Sequence, residues 1–240
     1  MQIEILFPVI IASYLIGSIS FSRFVSRLAA PGVNIEQVEI PGQEGEDAEK
    51  FSAVGATVTS LKVGGRIGCL VSLLDAFKIF IPTLALRLWM PEQPYYLFSA
   101  FFGLVGNNWP IYYNFRGGWG LSAIYGGYLA ITPIGIIVTA LIGMLIALFI
   151  LHDMLSIYLL GIWLIIPWIW YFFQDSPLFP FLIAYAIGAN LIIMIALIPE
   201  LRTYLKMRRE GKTMGDMMEL APMGRGMKKM LKALKLDRTG

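Results

Sequence analysis

Asp75 and Lys78 interrupt an otherwise apolar stretch that runs from about Ile67 to Leu88. They are three positions apart and therefore share one face of a helix. Ionisable groups in such a stretch are costly, so they either neutralise each other or serve a function. In the first case the pair is purely structural. In the second it faces a water-accessible cavity, and Lys78 is offered to an anion. Further along, Asn107 and Asn108 precede Trp109 and Pro110, and Arg116-Gly117-Gly118-Trp119-Gly120 opens the next apolar run. Glycines at a helix start let backbone N–H groups converge, and the positive end of the helix dipole adds to them, which suits a phosphate. Glycine turns between membrane helices also serve close packing, and Asn190, midway along the last run, fits an interhelical hydrogen bond.

Other chemistries are narrowed by what is scarce. Cys69 is the one cysteine, which excludes a disulfide framework and a multi-cysteine metal site. His152 is the one histidine and leaves a single imidazole for general-base work. Its position in a loop between two apolar runs reads as interfacial. Nothing in the chain suggests nucleic-acid binding.

The elements that must position these residues are apolar helices. Of 240 residues, 57% are hydrophobic and 15% charged, with a mean hydropathy of +0.69. Soluble domains carry roughly 45–50% apolar and about 25% charged residues, so the excess must face lipid. Seven runs can be read: Ile3 to Phe24, Ile67 to Leu88, Tyr95 to Tyr113, Trp119 to Ile131, Pro133 to Leu151, Leu155 to Phe173 and Leu178 to Ile198. The fourth is too short to cross alone and must be a half-span, tilted, or continuous with its neighbour, which would make the count six. The first run lacks a basic leader and a cleavage site, so no signal peptide is expected.

Basic residues gather after the first run, Arg116 follows the third, and the tail from Arg202 onward holds eleven of the nineteen Lys and Arg. Cytoplasmic loops collect such charge. The expected fold is therefore an all-α bundle of about seven spans, with the N-terminus outside and the C-terminus in the cytoplasm. Residues 1–200 form the membrane domain, including an acidic cytoplasmic loop over 31–50 that reads as solvated. Residues 201–240 form a basic tail. Met227, Met230, Leu231 and Leu234 recur there at helical spacing among lysines, so the end of the tail reads either as an amphipathic helix on the membrane surface or as a disordered basic segment.

Several segments match one family in order. Tyr14-Leu-Ile-Gly-Ser-Ile-Ser-Phe21 resembles YLLGSIPF, Ser52-Ala-Val-Gly-Ala-Thr57 resembles SGNxGATN, and Leu73-Leu-Asp-Ala-Phe-Lys78 resembles LLDxxKG. Gly106-Asn-Asn-Trp-Pro110 with Phe115-Arg-Gly-Gly-Trp-Gly120 is similar to GHNWP…FKGGKG. The chain thus resembles the bacterial acyl-phosphate:glycerol-3-phosphate acyltransferases of the PlsY type over about residues 10 to 212. The resemblance implies a seven-span protein of the cytoplasmic membrane with its site near the cytoplasmic face. It implies transfer of a fatty acyl group from acyl phosphate to glycerol-3-phosphate, giving lysophosphatidic acid for phospholipid synthesis. No metal or other cofactor is implied, and membrane lipids are the surroundings. Oligomeric state is left open.

Carried over residue by residue, the resemblance points to Ser52, Lys62, Lys78 and Asn107 as catalytic positions. Gly55, Thr57, Arg66, Asn108, Arg116, Gly117, Gly118 and Gly120 are the candidates for holding phosphate. The departures fall on the same motifs. Trp119 replaces the lysine of Gly-Gly-Lys-Gly, Asn107 the histidine of GHNWP, and Ala53 and Val58 two asparagines. Leu61 aligns with an arginine, with Lys62 adjacent, and Phe51 aligns with the loop serine, with Ser52 next to it. After the last run, Leu201, Tyr204 and Thr213 stand where the family has histidine, asparagine and glutamate.

Three readings follow: an acyltransferase with a rearranged site, a silent member that binds lipid or a phosphorylated ligand or partners an enzyme, and a solute pathway. The first requires cations and glycines to converge on one pocket. The second requires the pocket to be plugged by Trp119 and Tyr204. The third requires a polar route to the outer face, for which the chain offers few residues.

Overall fold

Apolar runs in lipid must satisfy their backbone groups internally, so helices follow directly from the composition. The computed structural model describes residues 2–36, 38–40, 49–51, 54–151, 154–198 and 209. Its helices are α1 (Ile3–Gly17), α2 (Phe21–Ala29), α3 (Ala56–Lys62), α4 (Gly65–Trp89), α5 (Tyr95–Asn108), α6 (Leu121–Ile131), α7 (Pro133–Ile146), α8 (Met154–Phe173) and α9 (Phe179–Ala196). A π-helical turn over Ala147–Leu151 prolongs α7. Every apolar run is thus helical. Four stretches, Ile3–Ala29, Gly65–Trp89, Pro133–Leu151 and Phe179–Ala196, are long and apolar enough to cross a membrane.

Two boundaries differ from those expected, each for a local reason. The first run is two helices, because the Ser18 hydroxyl folds back on the Tyr14 carbonyl at 2.8 Å and the chain turns before Phe21. Beyond the break, α2 buries its polar side (Ser22, Arg23, Ser26), while Phe24 and Leu28 are 60% and 70% exposed. The third run stops being α-helical at Asn108, since Pro110 cannot donate to a continuing ladder. The fourth run is the separate helix α6, divided from α7 at the expected place by the non-helical backbone of Thr132 ahead of Pro133. In addition, two strands flank the acidic segment. β1 (Val38–Ile40) pairs antiparallel with β2 (Glu49–Phe51), Val38 opposite Phe51 and Ile40 opposite Glu49, and among the described residues the regular elements are otherwise helical.

Small residues set the helix spacing. A Cβ on Gly17 would collide with the Gly103 carbonyl, and one on Gly126 with the Ala76 carbonyl, so α1 meets α5 and α4 meets α6 backbone to backbone. Hydroxyl pairs reinforce both contacts: Ser13 Oγ donates to Ser99 Oγ at 2.9 Å, and the Ser72 and Ser122 oxygens lie 2.7 Å apart. In the core, Asn190 Nδ2 donates to the Ile162 carbonyl and Tyr128 Oη to Asn190 Oδ1, joining α6, α8 and α9 as expected for a buried asparagine.

Candidate functional site

Two helices of the bundle begin at the same place. α3 starts after Gly55 and α6 after Gly120, and neither has a side-chain cap at its N-terminus. The first helical hydrogen bonds run from Thr59 N to the Gly55 carbonyl and from Ile124 N to the Gly120 carbonyl. The N–H groups of Ala56 to Val58 and of Leu121 to Ala123 therefore have no acceptor within their own helices. Gly120 adopts φ +79°, a left-handed conformation natural to glycine, and the Asn108 amide lies directly against it.

Around these ends is a cavity of about 50 Å³, lined by Gly55 to Val58, Asp75, Asn107 and Gly118 to Ser122. The loop walls are tied together by backbone bonds. Val54 N donates to the Gly117 carbonyl at 3.0 Å, and Gly118 N to the Asn107 carbonyl at 3.4 Å. Tyr14 Oη donates to the Trp109 carbonyl at 2.8 Å and so fixes the end of α5. Two buried side-chain donors here, Trp119 Nε1 and Asn108 Nδ2, have no acceptor among the described residues. The Asn107 amide donates to Asn108 Oδ1 at 3.2 Å.

The cations are placed differently from the glycines. Lys78 Nζ lies 2.7 Å from Asp75 Oδ1 and donates to the Ile19 carbonyl at 2.7 Å, so both of its close partners belong to the protein. It lines a smaller adjoining space with Asp75, Asn107 and Gly117. Lys62 is exposed and donates to the Asn34 carbonyl. Arg66 and Arg116 are exposed and line neither space. The structure thus brings together Gly55, Thr57, Asn107, Gly118 and Gly120, with Asn108, Gly117 and Lys78 at the margin. It leaves Lys62, Arg66 and Arg116 outside. Ser52, His152, Leu201, Tyr204, Thr213 and the basic tail lie outside the described residues.

Four residues at or beside the site were not named as candidates from the motifs: Leu121 and Ser122 line the cavity, Ser18 lines the smaller space, and Arg23 lies outside both. Ser122 and Leu121 follow simply from α6 opening at the cavity. Ser18 and Arg23 come from the break between α1 and α2. Arg23 is 4% exposed, a rare state for arginine that signals a full set of partners.

A polytopic helical membrane protein with a polar cavity at paired helix N-termini is the class that fold and site define. The family model described as glycerol-3-phosphate acyltransferase matches residues 7–206, and the chain belongs to that family. The glycerol-3-phosphate acyltransferase of Aquifex aeolicus is 30% identical over 125 residues, 52% of this chain and 58% of that protein. The one from Mycoplasma pneumoniae is 26% identical over 191 residues, 70% of this chain and 74% of its own. The chain spans 58%, 60% and 64% of three such relatives. In fold it is similar to the crystal structure of PlsY (YgiH), an integral membrane glycerol 3-phosphate acyltransferase. Against the glycerol 3-phosphate form the TM-score is 0.68 at 22% identity, covering 85% of this chain and 93% of that one. The chain is a multi-pass membrane protein.

Proposed function

We propose that the protein is a membrane acyltransferase acting on glycerol-3-phosphate, with acyl phosphate as donor, in phospholipid synthesis. The observation that carries this reading is the convergence of the uncapped ends of α3 and α6 on one cavity. Backbone N–H groups at helix starts are suited to an anion, and both substrates are anionic. Asp75, Asn107, Thr57 and Ser122 supply the remaining polar contacts for a hydroxyl-bearing acceptor. Charge distribution supports seven crossings, an outside N-terminus and a cytoplasmic site. Residues 1–200 serve as the membrane domain and 201–240 as a basic tail suited to anionic headgroups.

A second reading is favoured by a specific observation. Asp75 is the one charged side chain lining the main cavity among the described residues, and Trp119 stands where the family has lysine. At about 50 Å³ the space suits a few waters, well short of the several hundred Å³ of typical ligand pockets. On that reading the chain binds a phosphorylated ligand or lipid without turning it over.

The deciding experiment is acyl transfer by the full chain in nanodiscs, supplied with acyl phosphate and labelled glycerol-3-phosphate. An active relative runs in parallel. Labelled lysophosphatidic acid formed by the parent establishes the first reading, and its loss in a Lys62→Ala, Lys78→Ala variant that unfolds like the parent assigns the reaction to those cations. No product beside a working control leaves the second, which direct binding of glycerol-3-phosphate then tests.

A further inference from the structure

The buried guanidinium of Arg23 connects three segments that are distant in sequence. Its Nε lies 3.0 Å from Glu36 Oε1, beyond α2. Its Nη2 donates to the Arg116 carbonyl at 2.9 Å, in the α5–α6 turn, and its Nη1 reaches Ser20 Oγ at 3.4 Å, in the α1–α2 break. Its flat face lies 4.2 Å from the centre of the Tyr113 ring. Arg23 does not line the cavity, yet the carbonyl it holds is one residue from Gly117 and two from Gly118, which forms the cavity wall.

The turn it holds is one that needs holding. Arg116 N donates to the Tyr113 carbonyl across Asn114 and Phe115, both left-handed at φ 50° and 59°. Asparagine tolerates that region; phenylalanine there is strained, and surrounding contacts must compensate. We infer that Arg23 is a positioning residue for acyl transfer: through the Arg116 carbonyl and the Tyr113 ring it fixes the strained turn, and thereby Gly117 and Gly118, against the acceptor site. A lysine cannot replace it. One ammonium lacks the planar fork that serves Glu36 and Arg116 in different directions while stacking on the ring. Glu36 orients the fork from its other side.

This inference rests on the acyltransferase reading for its kinetic half, and its structural half stands alone. Trypsin cleaves after arginine, and the peptide carbonyl it must attack at Arg116 is the one Arg23 holds. Full-length parent, Arg23→Lys and Glu36→Ala in nanodiscs are digested briefly, with cleavage after the exposed Arg209 as reference. Cleavage after Arg116 is expected to rise about tenfold in both variants, the scale of one charge-assisted hydrogen bond. The KM for glycerol-3-phosphate is expected to rise by a similar factor with kcat close to the parent. A merely structural role would instead lower the active fraction and leave KM unchanged. Unchanged cleavage at Arg116 in both variants overturns the inference. Faster cleavage with an unchanged KM overturns its role for the acceptor. An inactive parent refutes only the acyltransferase reading, and the digestion then decides the structural half.

Discussion

Trp119 concentrates the question of activity in one side chain. Its ring packs against the core, and its indole N–H has no acceptor among the described residues. Placing a lysine there adds a charge-assisted contact to a bound phosphate, a gain of about 1.5–3 kcal/mol, or roughly 10–100-fold in kcat/KM. Trp119→Lys should therefore make more labelled lysophosphatidic acid than the parent while lowering the melting temperature through lost packing. A fall in both would sink the idea that the missing cation limits the reaction. Asp75 and Lys78 call for the opposite treatment. Removing either partner leaves the other buried without its counter-ion, at a cost of about 3–5 kcal/mol, whereas an apolar double replacement should cost less. Denaturant unfolding of Asp75→Asn, Lys78→Met and Asp75→Leu, Lys78→Met measures the difference. The spacing of this pair made its contact legible in the sequence. The Ile19 carbonyl as second partner was not, because it depends on where the α1–α2 break lands. Arg23 was legible only as a charge, since its burial arises from α2 turning its polar side inward.

At the scale of elements, helices were readable because an apolar run in lipid has no alternative, and so was the break at Pro133, whereas Pro110 ends α5 earlier than its run suggested and Pro8, Pro82 and Pro167 lie inside helices. The further exceptions were the serine break before α2, where no proline marks the turn, and the strands β1 and β2, short β-prone flanks that an acidic composition concealed. Glycines at two helix contacts have different consequences. Gly126 lets α6 rest on α4 with the cavity at its start, while Gly143 lets α7 approach Gly161 of α8. Valine at either position should cost about 1–3 kcal/mol by overpacking. Gly126→Val should in addition weaken glycerol-3-phosphate binding, since α6 carries a wall of the cavity. Gly143→Val should not. Calorimetry of ligand binding beside thermal unfolding distinguishes them, and equal loss of binding in both would contradict the assignment of α6 as the wall.

For the whole molecule, the proposed seven crossings would place the two ends on opposite sides. In a Cys69→Ala background, a cysteine at Glu92 should react with an impermeant thiol reagent added outside cells. One at Asn34 should react only after the membrane is opened. Labelling of both from the same side would refute the topology. The family and the membrane character were legible from motifs and hydropathy. The separation of glycines from cations was not: of motif residues two apart in sequence, Gly118 lines the cavity while Arg116 is exposed and does not.

Arg87, at the far end of α4, donates to the Ala130 carbonyl at the last turn of α6. A cation there offsets the negative pole of a short helix, while its positive pole faces the cavity that Asp75 also lines. Fixed partial charges of this kind are shielded by protein, whereas exposed Arg66 and Arg116 are screened over about 8 Å at physiological ionic strength. Added salt should consequently slow the arrival of an anion more than it loosens one already seated. Raising sodium chloride tenfold is expected to reduce the association rate several-fold with little change in dissociation. The helix poles then act as the part of the site that brine does not reach.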